Sequence, residues 1–316
     1  MKQFLIYIFL PVFCFSQNRY TINDIVTPTK EKITYLKSTM EPLNGMIYND
    51  QGDVGLYIDG QKSGIHKSWY KSGQLRYVFN YKKNQFNGEQ KGWYENGKLK
   101  YIENYKQDSL WGLKEGWYVS GNKRVEGVYK NGGLEGTHKS WFENGQLRYE
   151  ENYKNNQSTG RQKYWYENGQ LKRRFNKKSG KLHGNQEGWH ENGQLDYQEE
   201  YVNGVLSGIK KQWHENGQLI LDCKKLNGKL NGPLKEWYKN GQLKSETTYI
   251  LGKPEGIQKA WYENGQQKYV FFNKDGELEG EQKGWYKNGQ LKYKEQYSSG
   301  ENIEGKYWDE NGNKRD

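Results

Sequence analysis

A tryptophan recurs every 24 residues through most of this chain, at positions 69, 93, 117, 141, 165, 189, 213, 237, 261 and 285. One more, Trp308, follows after a step of 23. A glycine stands four residues after each of them, from Gly73 to Gly312, and another five residues before each of the first ten, from Gly64 to Gly280. Chance does not hold three residues in phase over ten units, and a period of this size calls for a solenoid, propeller or array before any other fold. Composition alone points elsewhere. A hydrophobic fraction of 33% with net charge +11 is the profile of a disordered chain. The 27 Tyr, 12 Trp and 10 Phe fall mostly at fixed phases of the repeat, however. A stack in which each unit buries its face on its neighbours needs no thick core.

Within a unit the local chemistry is β. Asn-Gly follows the tryptophan in eight of the ten regular units, with Ser72-Gly73 and Ser120-Gly121 in the other two. Asn-Gly is the strongest short hairpin signal, because a two-residue type I′ turn needs positive φ at both positions. After the turn the pattern alternates, as in Leu99, Tyr101, Glu103, Tyr105 and again Leu147, Tyr149, Glu151, Tyr153. Period two marks one face of a strand, and the frequent glycines exclude a helix. A two-residue Asn96-Gly97 loop puts Tyr94 opposite Leu99, Trp93 opposite Lys100, Gly92 opposite Tyr101 and Gly88 opposite Tyr105. The tyrosine ring would then cover the bare glycine backbone. Gly88, Gly136 and Gly160, with the turn glycines Gly97, Gly145 and Gly169, are therefore expected to be structural. The expected fold is all-β: an elongated single-layer antiparallel sheet of tandem ~24-residue hairpins.

The same register gathers tryptophan and basic side chains on the second face. Lys stands two before the tryptophan in eight of ten units, and a basic residue seven after it in eight of ten. This gives a candidate binding face of Trp141 with Lys139 and Arg148, and Trp165 with Lys163 and Lys172. It continues through Trp213 with Lys211, and Trp237 with Lys235 and Lys244. Cations beside indole rings suit cation–π contact. The competing reading is a shield, since long basic side chains cover apolar area without any ligand.

Outside the repeats, residues 1–16 have the pattern of a secretory signal peptide, with Lys2, an apolar run from Phe4 to Phe15 and a small-x-small site at Cys14-Phe15-Ser16. Lipidation of Cys14 ranks second, because Phe13 is bulky where such signals carry a small residue. After cleavage Cys223 is the remaining cysteine, so no internal disulfide forms. It occupies the phase of Phe79, Phe175 and Phe271 and reads as a small buried hydrophobe. Residues 17–44 form a leader covering the first edge of the array, with one strand expected in Ile33-Thr34-Tyr35-Leu36. Residues 45–316 are the array itself, opening on a degenerate unit around Tyr48 and Gly52.

The unit Trp141-Phe142-Glu143-Asn144-Gly145-Gln146-Leu147-Arg148 through Tyr153, and its counterpart Trp285 through Tyr297, resemble the bacterial MORN-repeat variant. The resemblance covers about 45–316. It implies a run of hairpins in one twisted antiparallel sheet. Many bacterial members carry the label of YwqK-type antitoxin, while eukaryotic MORN proteins resemble scaffolds and membrane-associated organisers. Neither label brings a catalytic residue to carry over, and the signal peptide departs from a cytoplasmic antitoxin.

A search for chemistry finds little. Of the histidines 66, 138, 183, 190 and 214, the pair His190 and His214 falls one repeat apart. Equivalent positions two strands on are ~9.6 Å apart, too far for two ligands on one ion. Phosphate loops, nucleophile elbows and Cys-x-x-Cys pairs are lacking in the sequence. A non-enzyme without cofactor or metal is expected: a secreted, periplasmic or envelope scaffold holding a protein partner, with a toxin-like partner as one form. The alternative is a module for acidic glycan or anionic lipid. Nucleic acid ranks last, because pI 9.2 and interleaved aromatics fit single-strand binding but export removes the usual substrate.

Overall fold

The computed structural model describes residues 18–29 and 32–315; the expected signal segment, Cys14 included, lies outside them. Among the described residues, every regular element is a strand apart from one 3-10 turn at Ile22–Asp24. The chain forms two units, one of residues up to 122 with 129–133, the other of 123–128 with 134 onward.

In the first unit, Gly45–Asn49, Gly52–Ile58, Gln61–Trp69 and Leu75–Lys82 pair antiparallel in sequence order, followed by Gly88–Trp93, Leu99–Lys106 and Ser109–Trp117. In the second, the same pattern runs from Leu147–Lys154 and Gly160–Trp165 to Leu291–Ser298 and Glu301–Trp308. Each unit is an open antiparallel sheet of consecutive hairpins, the topology expected of tandem hairpin repeats.

Leader residues pack on the first unit. Arg19–Thr21 pairs parallel with Gly45–Asn49. A separate two-stranded ribbon joins Ile25–Val26 to Tyr35–Leu36, a shorter strand than the four residues expected. Beneath them lies an apolar cluster of Leu43, Ile47 and Tyr57, with Tyr20, Ile25, Leu36 and Val54 against it.

The turns differ from the expected form. At Asn96-Gly97, the Gly97 N–H donates to the Tyr94 carbonyl at 2.9 Å and the Tyr94 N–H to the Lys98 carbonyl at 2.9 Å. Only Gly97 takes positive φ, +82°. This is a three-residue loop ending on a left-handed glycine, in place of a two-residue type I′ turn. One residue must then bulge: Trp93 pairs with Leu99, Lys100 is squeezed out, and the ladder resumes at Gly92 opposite Tyr101. Gly88 stands opposite Tyr105 as expected. The expected pairs Tyr94 with Leu99 and Trp93 with Lys100 are not made.

Type I′ geometry occurs at the other end of the strands. Lys83-Asn84 have φ +50° and +63°, Gln107-Asp108 +50° and +62°, and Leu251-Gly252 +49° and +93°. The glycine five before each tryptophan also has a different role from the one expected. A Cβ on Gly160 would meet nothing nearer than the Asn152 Cβ at 4.0 Å, and on Gly136 nothing within 4 Å. No ring fills these places; the glycines are there because φ is +68° and +70°. Tyrosine rings cover glycine instead at Gly92, Gly188 and Gly284, next to the tryptophan.

The Asn-Gly edge is stitched from repeat to repeat. In most repeats a tyrosine follows the tryptophan and sends its hydroxyl to the backbone carbonyl of the next repeat's tryptophan: Tyr70 to Trp93 (2.8 Å), Tyr94 to Trp117 (2.8 Å), Tyr166 to Trp189 (2.9 Å), Tyr238 to Trp261 (2.9 Å). His190 replaces that tyrosine, and its Nε2 lies 3.0 Å from the Trp213 carbonyl. The turn asparagine reaches the same way, Asn144 to the Glu167 carbonyl (2.9 Å) and Asn168 to Glu191 (3.0 Å). Its Oδ1 accepts the N–H two residues on, as in Asn144 with Gln146 at 2.9 Å. Gln146 then lies on the next turn's Gly169. Trp, Tyr, Asn, Gly and Gln thus recur together because each repeat docks on its successor through them.

Candidate functional site

The bulge beside each tryptophan decides where the basic side chains go. In the expected register Lys91 and Lys100 flank Trp93. In the structure Lys91 pairs with Glu89 at 2.7 Å, and Lys100 lies over the Tyr94 ring at 5.4 Å. The residue seven after the tryptophan repeats this, with Arg148 over Phe142 (5.7 Å) and Lys172 over Tyr166 (5.0 Å). Lys244 lies 3.9 Å from Glu236. The cage of cations around each indole is therefore replaced by cations over the next aromatic ring. Cations do reach two of the repeat tryptophans from other positions, Lys123 over Trp141 (5.7 Å) and Arg174 over Trp189 (5.5 Å).

The lysines two before the tryptophan join a transverse row that alternates in charge. Lys139 stands opposite Glu150, and Glu150 opposite Lys163. Further along, Lys211, Asp222, Lys235, Glu246 and Lys259 follow one another in register. Side chains close these pairs: Lys139 and Lys163 lie 3.9 and 3.8 Å from Glu150, Lys211 lies 3.1 Å from Asp222, and Lys235 lies 3.7 Å from Glu246. Opposite charges directly across strands stabilise a sheet face. The acidic partners sit nine residues after the tryptophan, where Glu150, Asp222 and Glu246 recur at the same phase. That signal was in the sequence, and the expected register already set this phase opposite the lysines, since the bulge shifts only residues nearer the turn.

Toward the far end of the second unit the face turns apolar. Ile257 pairs with Phe272, next to Lys259 opposite Val270. Both are solvent-exposed, at 55% and 41%. Trp141, Trp165, Trp213 and Trp237 are each half-buried on their own strands.

The groups expected to be inert are so placed. Cys223 is 2% exposed and burial pushes its thiol up. His66 is buried edge-on between Tyr57 and Tyr81, and desolvation lowers its imidazole to about 4. Among the described residues, no three His, Cys, Asp or Glu side chains are grouped to hold a metal ion.

Open antiparallel sheets of repeated hairpins, stitched at their turns and faced with paired charges, define a non-catalytic repeat scaffold. The chain belongs to the MORN repeat variant family, whose profile matches residues 62–83, 86–107, 134–155, 158–176, 182–203, 230–250, 254–276 and 278–299. No curated protein matches it. Among solved structures, that of TcdB2-TccC3-Cdc42 is similar over 84% of this chain at 12% identity and TM-score 0.20. TcdB2-TccC3 is similar over 89% at 10% identity and TM-score 0.19. This chain spans 18% of the length of either. Likeness at that level carries no argument about function.

Proposed function

We propose that this protein acts outside the cytoplasm as a scaffold that holds a partner protein along the face bearing the tryptophan and charge rows. The observation that carries the proposal is the exposed pair Ile257 and Phe272 on that face, bordered by compensated charges. An apolar centre inside a polar rim is the ordinary anatomy of a protein interface. The ion pairs at Lys139, Lys163, Lys211 and Lys235 weigh against an acidic glycan or anionic lipid, because these lysines already face carboxylates. An antitoxin-like grip on a toxin is one form of such binding. Export rests on the signal pattern of residues 1–16.

The test is partner capture from the native cell extract by the mature chain, compared with Ile257→Ser/Phe272→Ser and with Lys139, Lys163, Lys211 and Lys235 all changed to Glu. Loss of capture in the first variant, with weak salt dependence, supports the proposal. Steep loss with salt and loss only in the second variant would overturn it in favour of a polyanion. N-terminal sequencing is expected to find a mature start at Gln17 in a non-cytoplasmic fraction. Intact Met1 on cytosolic protein would refute export.

A further inference from the structure

Three residues before most tryptophans a buried polar side chain braces the hairpin. Gln90, Gln162 and Gln282 each do so with both ends of the amide. Their Oε1 atoms accept the backbone N–H of Asn80, Asn152 and Phe272 at 2.8, 3.0 and 2.8 Å. Their Nε2 groups donate to the carbonyls of the same residues at 2.9, 3.2 and 3.1 Å. Gln186 sits in the same phase and is 3% exposed. Its Nε2 donates to the Gly184 carbonyl at 2.9 Å and only at 3.5 Å to Asn176. Its buried Oε1 has no partner. A buried acceptor left unpaired is costly, and a native structure rarely keeps one without a reason.

Gln186 lines a cavity of about 300 Å³, together with Arg173, Phe175, Tyr197, Glu199 and Tyr201. Arg173 is the other departure from the repeat. Its phase, eight after the tryptophan, holds Tyr77, Tyr101, Tyr149, Tyr197, Tyr269 and Tyr293 in six units and the uncharged Val125, Leu221 and Ser245 in the other three. Arg173 pairs with Gly188, two residues along the strand from Gln186, so the two side chains are diagonal neighbours on one face. Its guanidinium lies over the Tyr164 ring at 4.0 Å and over Phe175 at 5.3 Å. Among the described residues no carboxylate is within ion-pair distance of it, and it is exposed. Glu199 is already engaged, by Lys210 at 2.7 Å and by the Tyr201 hydroxyl at 2.9 Å. Among the described residues, the cavity thus presents a planar cation outside any ion pair, a buried acceptor without a partner and aromatic walls, with Gln212 also on its lining.

We propose that this cavity binds an acidic residue of an extended polypeptide, with the side-chain carboxylate on Arg173 and a main-chain N–H on the Gln186 Oε1. The fork of guanidinium N–H groups matches a carboxylate, and stacking on two rings pre-orients it. A sugar acid offers the same carboxylate but no main-chain N–H, and glucuronate is the comparison probe that separates the two. The proposal rests on the reading of the chain as a protein-binding scaffold and adds a second contact to it, because Arg173 and Gln186 lie on the face opposite the tryptophan and charge rows. The partner segment that enters is an exposed Glu or Asp in an unfolded or strand-like stretch.

Titration of the full mature chain with N-acetyl-glutamate N-methylamide, followed by calorimetry and tyrosine-ring NMR shifts, tests it. The glutamine analogue and glucuronate serve as comparison probes. Arg173→Tyr and Gln186→Leu install residues that Tyr197 and Leu234 already supply at the same phases, so both variants are expected to fold, as circular dichroism verifies. The glutamate probe is expected to bind about tenfold better than the glutamine probe, and Arg173→Tyr to erase that preference. Gln186→Leu should weaken both peptide probes. Equal binding of the two peptide probes, an unchanged Arg173→Tyr, or glucuronate binding tighter than the peptide would each overturn the proposal. Peptide binding without any partner capture would instead sink the scaffold reading alone, and capture lost only in Ile257→Ser/Phe272→Ser, with no peptide binding, would sink the cavity alone.

Discussion

If the tyrosine hydroxyl is what joins one repeat to the next, removing it and adding it should shift stability in opposite directions. Tyr166→Phe deletes a hydroxyl that donates to the Trp189 carbonyl at 2.9 Å and changes nothing else in shape. The hydroxyl is partly withdrawn from water, and that desolvation raises its pKa. A bond of this kind is worth about 1 kcal/mol net, with the larger penalty falling on a carbonyl left unpaired. In a repeat array the loss falls on one nearest-neighbour interface. For a chain of this size it should lower Tm by roughly 1–3 °C. Phe142 is the natural converse, since it holds the same phase without a hydroxyl. Phe142→Tyr should raise Tm by about the same amount, by reaching the Trp165 carbonyl. Melts followed by far-UV circular dichroism and by tryptophan fluorescence read both changes. If Tyr166→Phe melts with the wild type while Phe142→Tyr destabilises, the hydroxyl is a passenger and the asparagine bonds alone carry the junction.

Acid should loosen the first unit through His66, whose imidazole is lowered from 6.5 to about 4 by burial. Between those values the unfolded chain holds more protons than the folded one, so stability present above pH 6.5 is lost as pH falls toward 4, by up to about 3 kcal/mol. His66→Gln, the side chain of Gln90, should flatten that slope in urea titrations at several pH values; an unchanged slope refutes the assignment. Gly160→Ala should cost about 1–2 kcal/mol although no atom crowds the site, because its φ is +68°. Lys163→Ala should cost at most ~0.5 kcal/mol, and equal midpoints for the two would reject a backbone origin. Cys223, buried and with its thiol pKa raised, should react with an aromatic disulfide reagent only after denaturant is added; fast labelling of native protein would contradict its placement.

The period of Trp69 to Trp285 was enough to give the fold class, because a hairpin array is the solution that repeats two glycines and an indole in phase. The register was harder. Asn-Gly pointed to type I′, yet the asparagine is needed elsewhere: its amide reaches the following repeat, and the turn lengthens by one residue to let it. That single residue moves Lys100 from Trp93 to Tyr94, while Lys139 faces Glu150 in either register. The type I′ turns were legible at Asn131-Gly132, Asn203-Gly204, Asn227-Gly228 and Asp275-Gly276, whereas Lys83, Gln107 and Leu251 are poor residues for positive φ and hid their common phase. The neighbouring hairpin holds them there, as when the Gly252 N–H meets the Leu230 carbonyl at 2.7 Å. Arg173 and Gln186 were legible only as departures, and a departure gains meaning once its regular counterparts have been seen to close their bonds.

The bonds between successive repeats join atoms 22 or 23 positions apart, and they are nearly interchangeable: Tyr94 to Trp117 differs little from Tyr262 to Trp285. A gene with such a message can lose or gain one whole module by slippage without creating a foreign junction. A cut through the middle of a module would strand a hydroxyl, an amide and a carbonyl at once. An array so joined changes most cheaply by whole modules, and substitutions such as Arg173 set one module apart from the rest.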